Sequence, residues 1–482
     1  MTKQQTITSS IFKHIAKGRN ANNTFAKSLK SSFFSRASQL TFFIFLFLTS
    51  TIQAQYQYQQ PYNGNNPPRQ IQMGGNAQTI YNQQQNPHVQ PSRANQLAEI
   101  NGIIAEDSKR QPVQRLPSQN QIIDPKEFQA QLKTYTNSLQ QLKIILSSNE
   151  KESLAKAYYI LESAYGNTYL NQKEFTNIIS KSVSFIKEWM KQNKLDINDN
   201  DAKHLAIQKF MSEKLTLGNS KGTKEKSASI KISQHLPFFY DYNDFEAKQD
   251  YRNFFLTKCL ATGAGQCNSM PQVYLVLAEA LGAKAYLSFA PQHSFVKYPN
   301  AQGEIINYEA TSNWQIANHW YQENMLISNQ AMRTGIYLDT FNKKQIIANC
   351  ILDLAVSYIY KNGIVDGSFV KECLQTAKPF FPKKNNIYSY FIYSLYLKAT
   401  IDNFMKDHKL SSPQQLKNYP EQYKLLQEYN NNESYINNLG YQDMPEGMYE
   451  QIMKEHEFKN KIQKDNNVNG KQKRNLFLEL NQ

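Results

Sequence analysis

Gly265-Gln266-Cys267-Asn268-Ser269-Met270-Pro271 opens an apolar run that ends at Leu281-Gly282, and the pattern of that run decides the fold. Met270, Val273, Leu277 and Leu281 recur at steps of three and four residues, which puts them on one buried face of a helix from Asn268 to Leu281. Gly282 supplies the residue that turns most easily out of a helix C-terminus. Cys267 then stands at the helix N-terminus, where free backbone N–H groups and the positive end of the helix dipole stabilise a thiolate, the reactive form of the side chain.

Downstream the period changes. Ala283 to Ala290 alternates as a strand does, with Ala285, Leu287 and Phe289 on one side, and Pro291-Gln292 leads into a second apolar stretch headed by His293. Ile305 to Ala310 reads as the next strand, on which Asn307 and Glu309 share a face, so either could orient the imidazole of His293. A cysteine and a histidine met separately are usually two core residues with no joint role. Here the helix-start position of one and the strand position of the other give nucleophile, base and orienting group in the order that an activated cysteine needs.

Gly265-Gln266-Cys267 at a helix start, Leu281-Gly282 at its end, His293 on one strand and an acid on the next together resemble the transglutaminase-like superfamily, in its compact bacterial form. The resemblance covers Asp241 to Ser312. It implies an α+β fold whose papain/transglutaminase-like core packs the cysteine-bearing helix on an antiparallel sheet, flanked by N-terminal and C-terminal α-helical regions. It also implies that Cys267 is the nucleophile, His293 the general base and then acid, Glu309 the residue that fixes the histidine tautomer, and the Cys267 backbone N–H one oxyanion donor; Asn307 is a second candidate for the orienting role. The sequence departs from the family at three points. Asn268 stands where the animal enzymes have Trp, Glu309 where Asp is usual, and no upstream residue matches a second oxyanion donor. Glu309 is one methylene longer than Asp, which moves its carboxylate roughly 1 Å outward, more than a tight site tolerates unless the strand compensates.

Working outward, residues 218–345 form the expected central unit. Before it, 125–217 carries helical periodicity, with Leu132, Leu139, Leu142 and Leu146, then Leu154, Tyr158, Leu161 and Ala164, then Ile178, Val183, Ile186 and Trp189. Asn198 to Asp201 precedes a helix predicted over His204 to Leu215. After it, 346–463 is again helical. Leu354, Ala355, Tyr358, Gly363, Ala377 and Pro382 loosely resemble one tetratricopeptide repeat followed by the first helix of a second. Residues 464–482 read as a polar, flexible tail.

At the other end, Lys3, Lys13, Lys17, Arg19, Lys27, Lys30 and Arg36 precede any acid, Leu40 to Leu48 is apolar, and Ala54 offers a cleavage point. This is the pattern of a signal peptide over residues 1–54. The apolar run falls short of the roughly 20 residues that a bilayer core requires, so no stable membrane span is expected after cleavage. Export to the periplasm or the cell exterior follows. Residues 55–124, rich in Gln, Asn, Pro, Gly and Tyr at the start, have too little to bury and are expected to be disordered or linker.

Formal net charge is +15, of which the leader carries seven, leaving +8 for the mature chain. Lysines alternate with glutamates rather than clustering among stacking aromatics, which argues against a nucleic-acid partner. Cys259, Cys267, Cys350 and Cys373 show no metal-ligand spacing. Cys350 and Cys373 either pair across adjacent helices or are buried thiols. Glu279, near the helix end, reads as solvated surface, and His319 as structural or pocket-lining. Gly218-Asn219-Ser220-Lys221-Gly222 matches the serine-hydrolase pentapeptide but lacks its strand and helix, and Gly263-Ala264-Gly265 lacks the third glycine of a dinucleotide loop.

No cofactor or metal is called for. Three functions compete: an acyl-transfer enzyme acting on a peptide or glutamine amide, with hydrolysis ahead of amine transfer because water needs no second groove; an inactive scaffold whose helices grip a peptide or polymer; and an envelope interaction protein working through the Gln/Asn/Tyr-rich segment.

Overall fold

The computed structural model describes residues 124–457 except 149–152, 167, 219–232, 248, 365–366, 382–385, 446 and 455–456. The leader, the Gln/Asn/Pro-rich segment, Pro382, most of the rejected serine pentapeptide and the polar tail lie outside the described residues.

Four helices come first: α1 (Pro125–Ser147), α2 (Leu154–Tyr165), α3 (Gln172–Gln192) and α4 (Asn200–Ser212). Their starts are written locally. Asp124 caps α1 ahead of a proline at the first helical position, Asn171 and Glu174 form a reciprocal capping box at α3, and Asp199 accepts from the Asp201 N–H at α4. The α4 helix begins earlier and stops sooner than its periodicity predicts. Glu213 is extended, and Leu215–Leu217 becomes strand β1, paired antiparallel with β2 (Ser233–His235).

Next come β3 (Phe239–Tyr240), α5 (Leu256–Thr262), β4 (Ala264–Gly265) and α6 (Ser269–Leu281). Helix α6 bears out the sequence reading in type and place, but it is enclosed all round rather than on one face: every residue from Ser269 to Ala278 is buried. It packs against α2, α3, α4, α5 and two strands of the main sheet. A helix that is apolar on all sides has to sit inside, and its polar positions are answered there. The Tyr274 hydroxyl meets His204 Nδ1 of α4 at 2.8 Å, and burial pushes the His204 pKa down to about 4, keeping the ring neutral.

The main sheet is an antiparallel meander in the order β5 (Tyr286–Ala290), β6 (His293–Pro299), β7 (Ile305–Glu309) and β8 (Trp314–Gln315). Strand β5 starts three residues later than the alternation predicts, because the chain leaves α6 through Gly282 at φ +66° and the Lys284 N–H is taken by the Asn200 side chain at 2.9 Å. Pro291 and Gln292, the latter at φ +58°, make a two-residue turn that sets Ala290 opposite His293. The outer edge of β5 is closed by backbone bonds between Leu287 and Phe341 and from the Leu338 N–H to the Phe289 carbonyl.

Helices α7 (Asn318–Asn324), α8 (Asn329–Thr334), α9 (Lys343–Asn362), α10 (Ser368–Ala377), α11 (Ile387–Asp407) and α12 (Pro420–Asn438) complete the α+β chain, followed by a helical turn at 448–454. One continuous apolar core runs from α1 through α6 and the sheet into α9 and α10. Leu354, Ala355 and Tyr358 of α9 and Ala377 of α10 are buried in it. All four cysteines are free and buried.

Two acids join these layers. Glu279 is not solvated surface: its side chain is 9% exposed, accepts from the Leu154 N–H at the start of α2 and pairs with Lys343 of α9. Glu162 of α2 accepts the Leu256 and Thr257 N–H groups at the start of α5, and burial pushes its pKa up to about 7.

Gly265 has no room for a side chain. A Cβ there would lie 2.5 Å from Cys259 Sγ and 2.7 Å from Met270 Cγ. Gly265→Ala should lower stability by about 1–3 kcal/mol, the cost of overpacking a filled interior. Denaturant midpoints check this, and adding Cys259→Ala, which removes the nearest clashing atom, should recover part of the loss.

Candidate active site

Cys267 sits in the turn that leads into α6. The Met270 N–H bonds the Gln266 carbonyl and the Gln266 N–H bonds Ser269 Oγ, both at 3.0 Å, while the Gln266 amide donates to the Asp244 carbonyl at 2.6 Å. The parallel bridge between Tyr240 and Gly265 holds this turn from one side. From the other side Ser294, the residue after His293, donates its hydroxyl to the Cys267 carbonyl at 2.6 Å. The helix-borne cysteine and the strand-borne histidine are therefore fixed to each other through adjacent residues.

His293 and Glu309 meet on a diagonal. Val296 pairs with Tyr308, so continuing the register sets Glu309 across from Phe295, two residues from His293 and on the same face. Such diagonal neighbours are within reach only of longer side chains, and the extra methylene of Glu309 spans the gap. His293 Nε2 lies 2.9 Å from one carboxylate oxygen and 2.8 Å from the other. The longer side chain of Glu309 is thus accommodated by strand register.

Nδ1 is the nitrogen left for the sulfur, and Cys267 stands near enough to the imidazole to help raise its pKa. Two further donors hold the carboxylate: the Tyr321 hydroxyl of α7 on one oxygen and Thr311 Oγ1 on the other at 3.3 Å. Tyr321 is placed by stacking on Phe295, with ring centres 4.5 Å apart.

Asn307 does not take the orienting role. Its amide donates instead to the Ile316 carbonyl at 2.7 Å and to Asn318 at 2.9 Å, bracing the loop that follows β8. His319 is exposed on α7, and Cys259 is packed within the core, where burial pushes its thiol pKa up to about 12.

The electrostatics of the pair are opposed by burial and decided by charge. Burial, the largest single effect, would drive His293 toward its neutral form, but the Glu309 charge, the hydrogen bond to Glu309 and the nearby Cys267 together outweigh it, and the pKa is pushed up to about 10. Burial alone would likewise protonate Glu309. The His293 charge and hydrogen bonds from His293, Tyr321 and Thr311 outweigh it and hold the carboxyl below its usual range.

Two features at the sulfur were invisible in the sequence. Tyr449, in the turn at 448–454, donates its hydroxyl to Cys267 Sγ at 3.7 Å and is hydrogen-bonded to Tyr240. Cys267 is consequently only 9% exposed. On the carboxylate side Trp314, directly across from Glu309 in the sheet, is 52% exposed and forms an open aromatic rim.

Comparison with protein-family models, curated proteins and solved structures finds no match to this chain. The chemistry of the site therefore rests on its own geometry. Among the described residues, no group of three or more His, Cys, Asp or Glu side chains could hold a metal ion.

The sign of the pH dependence follows from the two shifts. The raised His293 value contributes stability that is complete below the unfolded value of 6.5 and lost as pH climbs to about 10. The lowered Glu309 value contributes stability that is present above 4.5 and lost as pH falls through its folded value. Glu309→Gln should therefore destabilise most near pH 6, by about 3 kcal/mol for a buried pair with one partner removed, and by little above pH 10. Denaturant titrations of both proteins at the two pH values check it.

Proposed function

We propose that this chain is an exported transglutaminase-like cysteine enzyme that transfers the acyl group of a peptide or glutamine amide through a Cys267–His293–Glu309 triad. The observation that carries the reading is the imidazole of His293, held beside Cys267 by the Ser294–Cys267 bond and hydrogen-bonded to a carboxylate with two further donors of its own. A charged imidazole beside the sulfur is placed to give and take protons during acyl transfer, and an anchored carboxylate keeps the ring from turning away.

In this mechanism the Cys267 sulfur adds to the amide carbon, and the carbonyl pair moves to oxygen. The C–N bond breaks as the departing amine takes a proton from the His293 imidazolium, leaving a thioester on Cys267. Neutral His293 then removes a proton from water, the hydroxide adds to the thioester, and the C–S bond breaks to release the acid and restore the thiolate–imidazolium pair. Water is the favoured acceptor, because hydrolysis needs no second groove for an amine. The nearly enclosed sulfur favours one other reading, a scaffold in which the triad is retained but substrate is gripped elsewhere.

An activated acyl probe directed at thiols should label wild type in a one-to-one ratio and leave Cys267→Ala unlabelled, as read by intact mass. Equal labelling of the two proteins would remove Cys267 as the nucleophile. Supplying a primary amine should not divert the released acid into amide product; diversion would convert the assignment from hydrolase to transferase.

A further inference from the structure

An acyl-transfer site needs two donors aimed at the oxygen that becomes negative, and a position about 2.7–3.1 Å from that oxygen is what each must hold. One is available: among the described residues the Cys267 backbone N–H meets no acceptor. The sequence before Cys267 supplies no partner for it. The Gln266 amide, nearest in the chain, already donates to Asp244.

We propose that the hydroxyl of Tyr449 is the second oxyanion donor, delivered to the sulfur by the C-terminal segment and positioned there by Tyr240.

Three observations support it. The hydroxyl already donates to the reacting atom, at 3.7 Å. Its ring is fixed, since Tyr449 is 2% exposed, packs near Phe245 with ring centres 6.1 Å apart and hydrogen-bonds Tyr240. Tyr240 is held in turn by the backbone bridge to Gly265, two residues before the nucleophile. Finally, burial first, and then the charge at Cys267, push the Tyr449 pKa far above the ordinary tyrosine range, so the group remains a neutral O–H throughout the working pH range. It is then placed to turn from the sulfur to the oxyanion as attack proceeds, moving only the direction of one hydrogen.

The inference rests on the acyl-transfer reading, and the test separates the two. Acylation of Cys267 by 4-nitrophenyl acetate forms an oxyanion; alkylation by iodoacetamide displaces iodide at a saturated carbon and forms none. Tyr449→Phe keeps the ring and removes one oxygen. The expected result is a nitrophenolate burst slowed about 100-fold, with alkylation of Cys267 changed less than about threefold and the melting transition retained. Tyr240→Phe, which leaves the donor but frees it, should give a smaller loss in the burst alone.

A Tyr449→Phe burst as fast as wild type, or faster, overturns the assignment and makes the hydroxyl a cover over the sulfur. Equal slowing of burst and alkylation also overturns it, marking a structural role. A wild-type protein that alkylates at Cys267 but releases no nitrophenolate removes the acyl-transfer reading itself, and the donor assignment with it.

Discussion

Placing a protonated imidazole out of water is unfavourable unless an opposite charge stands close by, and the region around Cys267 is organised by that requirement. His293 can be both buried and charged because Glu309 faces it at hydrogen-bond distance, and Glu309 can remain ionised only because His293, Tyr321 and Thr311 all donate to it. Each of these groups is anchored in a different way: His293 by a tight turn, Glu309 by strand register, Tyr321 by stacking on Phe295. None of the three could be displaced without leaving a charge or a polar atom uncompensated, so the sheet and α7 behave as one unit around the pair.

The sulfur belongs to a second unit. The turn before α6 is shaped by the close approach of Gly265 to Cys259 and Met270, and α6 is immobilised by being surrounded. Beyond the packing of α6 on β5 and β6, the two units are tied by the Ser294 hydroxyl on the Cys267 carbonyl. That bond couples helix and sheet within a residue of the thiol and the imidazole, where small displacements matter most to reactivity.

How much of this the residues disclosed depends on the range over which each signal acts. The cysteine at a helix start, the stop at Gly282, the hairpin before His293 and the placing of Glu309 are local patterns, and they were legible because helix and strand periods are fixed by backbone geometry. Asn307 and Glu309 were indistinguishable on that basis. Only the register, a pairing between strands, gives one to His293 and the other to Ile316. Glu279 looked like surface because its partner, the first turn of α2, is 125 residues away. Tyr449 lies 182 residues from Cys267 in a segment with no distinguishing pattern, and no local rule reaches that far. The same limit explains why a helical region before the core and another after it read as separate blocks, whereas their apolar faces merge into one interior.

The closure of the β5 edge by Leu338 and Phe341 has a further consequence. A sheet with a bare margin invites a visiting strand, either from another molecule in aggregation or from an extended guest added as an extra ribbon. Here that margin is already occupied by the chain's own backbone, and the opposite margin, β8, is only two residues long. Main-chain pairing at either side thus has little to offer an incoming strand.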